Sequence, residues 1–540
     1  MAWLTGMADR ANPPPPSLST RFGRRGMVCS TDHLASGAGI AVLRAGGSAA
    51  DAAIAASAVL SVTQPYQCGP GGDLYALVHD GRGPPTALDA AGRAGSGADP
   101  ERLRAEGHRR MPFRGDVRTA TVPGCVDGWL ALHDRYGRLP LAAVLSSAVE
   151  LALHGFAAGQ HLVAMATGVV GVAGAEAVAE VAGRPPGTLV ERPDLARTLA
   201  AVGAGGRDAF YGGAFGEALV ALGAGSVAPQ DLDVRYADWV APISVAAWGQ
   251  QVWTMPAPSQ GYLALLGATI AEEVGLPDDG HSAAWAHLTV EAARAAGHDR
   301  PSVLHEGADL APLLKPAEVR RRADLVDPDR AADLPAPAAE GDTIFLCAVD
   351  EDRLAVSLIQ SNASGFGAHL VVGDTGVFLH NRGLGFSLEP GHPAELGPGR
   401  RPPHTLSPLL ITSPAGALRA VLGTMGGDAQ PQVLLQLLAR HLQLGQDPGQ
   451  VLRAPRWALT SGSVEGFDTW DGPTDAQVGV EANAPGAWAE GLAARGHTVF
   501  GRPPWDAGCG MAHLIAVGEG GTVLGGASDP RAPEAAALAW

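Results

Sequence analysis

A threonine stands at the boundary between a polar segment and an apolar run. Thr343 follows DPDRAADLPAPAAEGD, whose prolines, alanines and acidic residues are typical of a linker (residues 326–342). It precedes Ile344–Val349, which is typical of a buried strand. A threonine hydroxyl is a weak nucleophile at neutral pH and needs an adjacent base. As the first residue of a chain, threonine would carry that base as its own α-amine, whose reference pKa is about 7.7–8.0.

The amine of Thr343 becomes available only if the preceding peptide bond is cut. The hydroxyl of the same residue could do this by attacking the carbonyl carbon of Asp342, which would give an ester that water then hydrolyses. Such a cut requires a mobile segment before Thr343 and a rigid strand after it, and the sequence predicts both. A threonine at the start of a strand is more often structural, so the pattern alone leaves both roles open.

The elements predicted on either side of Thr343 belong to one mixed α/β unit, with sheets between helices. Before the linker we expect helices at His33–Arg44 and Ala49–Val62, a strand at DLYALVHD, and a largely helical region over residues 100–330 that contains a buried helix at Leu162–Ala175. After it we expect strands at Ile344–Val349, Leu354–Gln360, Leu370–Val372, Leu409–Ile411 and Ala420–Leu422, and then a helix at Gln432–Leu444.

The composition limits the classes of function. The chain has 540 residues, 46% of them hydrophobic, and a formal net charge of −17. That charge disfavours nucleic acid and anionic membranes as partners. The five cysteines form no C-x-x-C pair, which argues against a disulfide framework or a zinc site. Residues 1–25 contain no apolar signal segment, so we expect a disordered arm and a cytoplasmic protein.

Several separate segments carry a resemblance to one family. They are MVCSTDHLASGAGIAVLRAGGSAADAAIAA, MPAPSQGYLAL, HLTVEAARAAGHDR, GDTIFLCAVD with QSNASGFG, RRPPHTLSP, GTMGGDAQPQ and GASDPR. In this order, from about Gly26 to the end of the chain, they resemble the γ-glutamyltranspeptidase family of N-terminal-nucleophile hydrolases. The resemblance implies an αββα sandwich, no cofactor or metal, and self-cleavage between Asp342 and Thr343. It also implies a large subunit (residues 26–342, with the arm at 1–25) and a small subunit (residues 343–540) that stay associated.

The resemblance also implies roles for individual residues. Thr343 aligns with the family nucleophile, and Ser361 falls where the family places a hydroxyl that hydrogen-bonds it. Gly426 and Gly427 match a glycine pair whose backbone N–H groups form the oxyanion hole. Glycine suits that place because the backbone must approach the reacting carbonyl closely.

The chain departs from the transpeptidase pattern where a glutamyl group would be held. Gly385 stands in place of the aspartate that receives the substrate amine, and Arg382 replaces a neutral or acidic residue. The family asparagine two residues after the supporting hydroxyl is Ala363, with Asn362 adjacent. These changes remove groups that would bind an ammonium ion.

Two further departures concern the substrate carboxylate. The serine pair that grips it in transpeptidases is His404-Thr405, and the family arginine is out of register, with Ala91 in its place and Arg93 two residues on. Together with Arg382 and Asn362, these groups suit an anionic acyl group that lacks an α-amine. The pattern resembles the cephalosporin-acylase-like branch, and we expect hydrolysis of an amide through an acyl-enzyme ester.

Other functions remain open at this point. The same resemblance would be consistent with a true γ-glutamyl hydrolase or transpeptidase, with a pathway-specific enzyme that cleaves a C–C bond, or with an unprocessed binding protein. It also leaves open whether the protein forms a homo-oligomer. A serine hydrolase or a P-loop enzyme is disfavoured, because G-x-S-x-G is absent and the sole lysine, Lys315, is not in a G-K-[ST] motif.

Overall fold

The computed structural model describes residues 19–334, 343–460 and 477–540. Its strands, in chain order, are β1 (Arg21–Gly23), β2 (Gly26–Ser30), β3 (Asp73–His79), β4 (Thr86–Ala90), β5 (Phe156–Ala157), β6 (Leu189–Val190), β7 (Asp238–Val240), β8 (Ile243–Ala247), β9 (Gln250–Thr254), β10 (Ile344–Asp350), β11 (Ala355–Ser361), β12 (Leu409–Thr412), β13 (Leu418–Thr424), β14 (Trp457–Thr460), β15 (Gln477–Glu481), β16 (Val499–Arg502), β17 (Ala512–Val517), β18 (Leu524–Ser528) and β19 (Ala536–Ala539).

Two seven-stranded antiparallel sheets form the centre of the molecule. Sheet A has the order β1-β18-β17-β13-β12-β9-β8, and sheet B has the order β19-β2-β10-β11-β3-β4-β7. Each sheet combines strands from before and after Thr343. In sheet A, β12 pairs with β9. In sheet B, β10 lies between β2 and β11, and β11 pairs with β3. The start of β10 therefore lies in the middle of a sheet.

The helices, in chain order, are α1 (His33–Arg44), α2 (Ala49–Thr63), α3 (Pro100–Ala105), α4 (Cys125–Tyr136), α5 (Leu141–His154), α6 (Gln160–Met165), α7 (Glu176–Ala179), α8 (Pro193–Tyr211), α9 (Ala214–Gly223), α10 (Pro229–Leu232), α11 (Tyr262–Val274), α12 (Ala283–Gly297), α13 (Arg300–Val303), α14 (Pro316–Ala323), α15 (Gln430–Leu438), α16 (Pro448–Arg453) and α17 (Gly486–Ala494). A π-helical segment, Ala439–Gln443, continues α15.

Strand β10 shows how the layers form. Its side chains alternate between a core shared with α1 and α2, which holds Ile344 and Leu346, and a core between the two sheets, which holds Phe345 and Cys347. Helices α11 and α15 cover the outer face of sheet A in a further core. A strand buried on both faces is expected to be a continuous apolar run, and β10 is apolar from Ile344 to Val349, before its last residue, Asp350. The result is the expected αββα sandwich.

Several predicted elements are confirmed. Helix α1 spans His33–Arg44, as expected, and α2 begins at a capping box in which Ser48 and Asp51 bond each other's backbone N–H groups. Every residue of α2 is buried, so its alanine-rich sequence allows close packing on sheet B. Strands β3, β10, β11, β12 and β13 lie within one or two residues of their predicted positions.

Other predictions are wrong in the described residues. Arg21–Gly23 belong to the predicted arm but form an edge strand, because their backbone pairs with β18; residues 1–18 lie outside the described residues. Leu370–Val372 make only an isolated bridge between Val371 and Phe378.

The long region before the linker also differs from its prediction. Leu162–Ala175 break into α6 and a 3-10 turn, with Val170 exposed, because Gly168 and Gly171 interrupt the apolar run. Residues 100–330, expected to be largely helical, also contain the five short strands from β5 to β9. The helix predicted at Gln432–Leu444 begins earlier, at Gln430.

In the part of the chain that the structure describes, no helix is both long and apolar enough to cross a membrane. The same residues contain no group of histidine, cysteine and acidic side chains arranged to hold a metal ion.

Candidate active site

Thr343 immediately precedes β10 and is fully buried. Its Oγ1 lies 2.9 Å from Oγ of Ser361, the last residue of β11. The two hydroxyls meet because β10 and β11 are antiparallel neighbours, with Ile344 opposite Gln360. Asp342, on the other side of the predicted cleavage site, lies outside the described residues.

Arg382 joins the predicted residues into one cluster. It begins a 3-10 turn, Arg382–Gly385, and its guanidinium is buried. Nη2 donates a hydrogen bond to Oγ of Ser361 (3.1 Å), and Nη1 donates to Oγ1 of Thr405 (3.2 Å). Nε donates to Oδ2 of Asp73 at 3.3 Å. The planar guanidinium reaches the three partners through three different nitrogen atoms, whereas a lysine would have to reach them all from one nitrogen.

Asp73 is the first residue of β3 and lies directly opposite Ser361 in the pairing of β3 with β11. Its Oδ2 accepts a hydrogen bond from Nε2 of His404 at 3.1 Å. Burial by itself would raise the pKa of the Asp73 carboxyl, but His380, His404 and Arg382 together outweigh it and hold that pKa well below its usual range. Asp73 is therefore a buried carboxylate at neutral pH.

Both histidines beside Asp73 are neutral. His404 Nδ1 accepts the N–H of Leu406 (3.4 Å), so Nε2 carries the hydrogen donated to Asp73. Burial and the charge of Arg382 lower the pKa of His404 to about 3. His380 Nδ1 accepts the backbone N–H of Arg382 (3.3 Å), its Nε2 donates to a backbone carbonyl (2.9 Å), and burial lowers its pKa.

The glycine pair follows β13. Gly426 and Gly427 have φ angles of +131° and +51°, which favour glycine, and a 3-10 turn, Gly427–Ala429, leads from them into α15. No described residue accepts a hydrogen bond from either backbone N–H. These donors lie at the positive end of a helical segment, where developing negative charge is stabilised.

Two residues that the sequence analysis did not select hold the glycine pair. Nε2 of Gln260 donates to the carbonyl oxygens of Thr405 (3.0 Å) and Gly427 (2.9 Å), which ties the pair to the Arg382 cluster. Nη2 of Arg300 donates to Asp428 at 2.7 Å, and both side chains are buried.

The other two predicted substrate-binding residues, Arg93 and Asn362, have hydrogen-bond partners other than the Arg382 side chain. Arg93 is partly exposed, and its contacts in the described residues are with Glu306 (2.6 Å) and the carbonyl oxygen of Gly399 (2.9 Å) rather than with the Arg382 cluster. Asn362 is buried and donates to the carbonyl oxygen of Pro65 (3.1 Å). Its Oδ1 has no hydrogen-bond partner in the described residues.

The residues that sequence reasoning missed are Asp73, His380, Gln260, Arg300 and Asp428. Gln260, Arg300 and Asp428 belong to blocks that were quoted for the family resemblance, and Asp73 starts a predicted strand directly after Gly71-Gly72. The available signal was that Gln260, Arg300 and Asp428 have charged or amide side chains within the blocks that carry the family resemblance, while the pairing that allows their burial is visible only in the structure.

This arrangement suits acyl transfer. A buried hydroxyl with a supporting hydroxyl at 2.9 Å can attack a carbonyl carbon, and a pair of backbone donors can stabilise the resulting oxyanion. A four-layer αββα sandwich with such a residue at the start of a central strand defines the class of N-terminal-nucleophile hydrolases.

Comparison with known proteins identifies the family. The family model for gamma-glutamyltranspeptidase matches residues 35–539, so the chain belongs to the γ-glutamyltranspeptidase family of hydrolases and transpeptidases. The chain is 34% identical to an oxamate amidohydrolase proenzyme of Klebsiella pneumoniae over 96% of this chain and 99% of the relative. It is 34% identical to the glutathione hydrolase-like YwrD proenzyme of Bacillus subtilis, over 95% and 98%.

A solved structure is also similar along its whole length. The cephalosporin acylase from Bacillus halodurans superposes with a TM-score of 0.89 and 29% identity, covering 99% of both chains. The acylase-like branch expected from the sequence is therefore represented among the structural neighbours.

Proposed function

We propose that this protein is a self-processing amidohydrolase that uses Thr343 as an N-terminal nucleophile and cleaves amides with an anionic acyl group. The observation that carries the proposal is the contact of 2.9 Å between the hydroxyls of Thr343 and Ser361 in the buried centre of sheet B. Both curated relatives described above are proenzymes, which supports a cut before Thr343.

The sheets explain how the two chains would stay together after the cut. Cleavage at Asp342–Thr343 would give a large subunit (26–342) and a small subunit (343–540). The backbone hydrogen bonds of β10 with β2, and of β11 with β3, would then join the subunits without a covalent link. No change in either sheet is needed for the new α-amine to form.

The surroundings of Gly385 support an acyl group without an α-amine. A Cβ atom at this position would lie 2.5 Å from the carbonyl oxygen of Pro403, so the present backbone leaves no space for an aspartate. The nearby carboxylates also have cationic partners already, since Asp73 contacts Arg382 and Asp428 contacts Arg300. A substrate ammonium would have to compete with these partners.

An anionic acyl group meets more favourable chemistry. Arg382 is paired with Asp73 through Nε, but its Nη1 donates to the neutral hydroxyl of Thr405, which a substrate carboxylate could replace as the acceptor. We place the acyl group against the Arg382 cluster, with Asn362 Oδ1 as an acceptor for the N–H of the substrate amide; Arg93 pairs with Glu306 and would have to leave that partner to take part. The name of the oxamate amidohydrolase relative fits this choice, because oxamate is an amide that carries a carboxylate.

The cycle then follows from the residues. The Thr343 α-amine takes the proton of its own hydroxyl, and Oγ1 attacks the amide carbonyl carbon. The N–H groups of Gly426 and Gly427 stabilise the oxyanion. The leaving amine departs with the proton, and water attacks the ester to release the acid and restore Thr343.

The test compares a glutaryl anilide with the matching γ-glutamyl anilide, which differs by the α-amino group. We expect the glutaryl compound to have a kcat/KM at least about tenfold higher, because binding an unpaired ammonium would cost more than 1.4 kcal/mol. Oxamate is assayed alongside by release of ammonium.

Thr343→Ala is the control and should abolish turnover of every substrate. A clear preference for the γ-glutamyl anilide would contradict the proposed acyl specificity and favour a true γ-glutamyl hydrolase. Turnover by Thr343→Ala would contradict the proposed nucleophile.

A further inference from the structure

The hydrogen bonds that Ser361 makes within the described residues indicate how its hydroxyl is oriented. A serine hydroxyl can donate one hydrogen bond and accept two. Oγ of Ser361 accepts from Nη2 of Arg382 at 3.1 Å and from the backbone N–H of Ala363 at 2.9 Å. Both donors can only donate, so the two lone pairs of the oxygen are used.

These hydrogen bonds indicate which hydroxyl donates in the contact between Ser361 and Thr343. If Thr343 donated its proton to Ser361, the serine oxygen would have to accept a third hydrogen bond. Ser361 therefore donates, and Oγ1 of Thr343 accepts at 2.9 Å. The hydroxyl proton of Thr343 is then directed away from Ser361, as transfer to the α-amine of the same residue requires.

The side chain that fixes this direction is itself fixed by Asp73. Nε of Arg382 donates to Oδ2 of Asp73 at 3.3 Å, and the same oxygen accepts from His404 at 3.1 Å. Asp73 and Arg382 are both almost completely buried, so the carboxylate is the partner that makes a buried guanidinium tolerable at this place. Asp73 comes from the large subunit and Arg382 from the small one.

We propose that Asp73 is a positioning residue for the reaction: through Arg382 it holds Ser361 as a hydrogen-bond donor to the nucleophilic oxygen of Thr343. Asp73 does not touch the reacting atoms. No proton leaves Ser361 in this scheme; the Thr343 proton goes to the α-amine, and the Ser361 O–H, polarised by the cation behind it, stabilises negative charge on Oγ1 as the bond to the carbonyl carbon forms. The inference rests on the proposed function.

The test is a double-mutant cycle between Asp73→Asn and Ser361→Ala. Asparagine keeps the shape of aspartate but loses the charge that orients Arg382. We expect Asp73→Asn alone to lower kcat by about 10- to 100-fold with a much smaller change in KM, because an orientation effect acts on the reaction step. In the Ser361→Ala background the same substitution should change kcat by less than about threefold, since its route to the nucleophile is already gone.

Two further variants control for folding. Asp89 is another buried carboxylate; it lies on β4, the strand next to β3, and its Oδ2 is 3.3 Å from Nη1 of Arg401. Asp89→Asn should leave kcat unchanged. Arg382→Lys keeps the positive charge but cannot span Asp73, Thr405 and Ser361. It should therefore lower kcat, and lower it much less in the Ser361→Ala background, even if Asp73→Asn does not fold. The cycle is also measured on the first-order rate of self-cleavage, which requires no added substrate.

The outcomes separate this inference from the proposed function. Wild-type protein that neither cleaves itself nor turns over the anilides would overturn the proposed function. Two results with an active wild-type protein would overturn only the role of Asp73. In the first, Asp73→Asn and Arg382→Lys have the wild-type kcat. In the second, each substitution lowers kcat by the same factor in the wild-type background and in the Ser361→Ala background.

Discussion

At the scale of single residues, the site depends on backbone conformations that few side chains permit. Gly426 has a φ of +131°. A Cβ atom there would meet nothing closer than Cα of Gly510 at 3.5 Å, so space is not what demands glycine. The demand comes from the backbone angle, which L-residues rarely adopt. The N–H direction in the proposed oxyanion hole is therefore linked to this residue type.

We predict that Gly426→Ala lowers kcat by about 10²- to 10³-fold, the loss typical of one missing oxyanion donor, because alanine would rotate the peptide away from its present angle. Steady-state kinetics with the preferred anilide measures this. Gly445→Ala is the matched control: its φ is also positive, +63°, with nothing within 4 Å of an added Cβ. A similar loss of kcat in both variants would contradict the assignment.

Part of this candidate site can be proposed from the sequence. The junction before Thr343 and the blocks around Ser361 and Gly426-Gly427 predict site residues, and the structure brings Thr343, Ser361, Arg382 and Thr405 together. The sequence could not predict the role of Asp73, because this residue is separated by more than 300 residues of chain from its partners Arg382 and His404. Only the sheet pairing that sets Asp73 opposite Ser361 makes the cluster visible.

At the scale of elements, α12 holds the segment 327–334, which precedes the proposed cleavage site. Its Glu291 accepts the backbone N–H of Ala332 at 2.8 Å, and its Arg294 donates to the carbonyl oxygen of Leu334 at 2.7 Å. His287 on the same helix contacts the carbonyl oxygen of Asp327 at 2.7 Å. These contacts fix the chain nine residues before Thr343, so they limit where the scissile bond can go.

We predict that Arg294→Ala slows self-cleavage severalfold without changing kcat of the processed protein, because it widens the range of positions open to the scissile bond. The appearance of the small subunit is followed by denaturing electrophoresis during cell-free synthesis. Arg321→Ala serves as control, since Arg321 is 56% exposed and pairs with Glu318 on α14. Equal rates of cleavage in the two variants would show that α12 plays no part.

Element prediction fails for a physical reason in the region before the linker. Strands β8 and β9 have five residues each and are joined by a turn at Trp248 and Gly249, both at positive φ. Five residues are too few to show a clear alternation of apolar and polar side chains. They become strands because β9 pairs with β12, which lies beyond Thr343. Helices such as α1, whose pattern and caps are local, are predicted to the residue.

At the scale of the whole molecule, buried histidines contribute to the loss of stability in acid. Burial is the main cause that lowers the pKa of His404, His497 and His513 to about 3 each. A histidine in the unfolded chain titrates near 6.5, so below that pH the unfolded state binds more protons than the native state. The stability that these residues contribute is complete above pH 6.5 and is lost as the pH falls toward 3, at about 1.4 kcal/mol per pH unit for each.

We predict that His513→Leu flattens this loss by about 1.4 kcal/mol per pH unit between pH 5.5 and 3.5. In the described residues neither ring nitrogen of His513 has a hydrogen-bond partner, so leucine should not destabilise the fold at neutral pH. Urea denaturation at several pH values gives the slope. His281→Leu is the control because His281 is 63% exposed, and an unchanged slope in His513→Leu would contradict the argument.

The whole account depends on Thr343 becoming the first residue of a chain. The most direct measurement is intact mass with N-terminal sequencing of the purified wild type and of Thr343→Ala. We expect two wild-type chains, the smaller one beginning at Thr343, and one uncut, inactive chain for the variant. A single uncut wild-type chain, a new end at another residue, or activity in Thr343→Ala would contradict it.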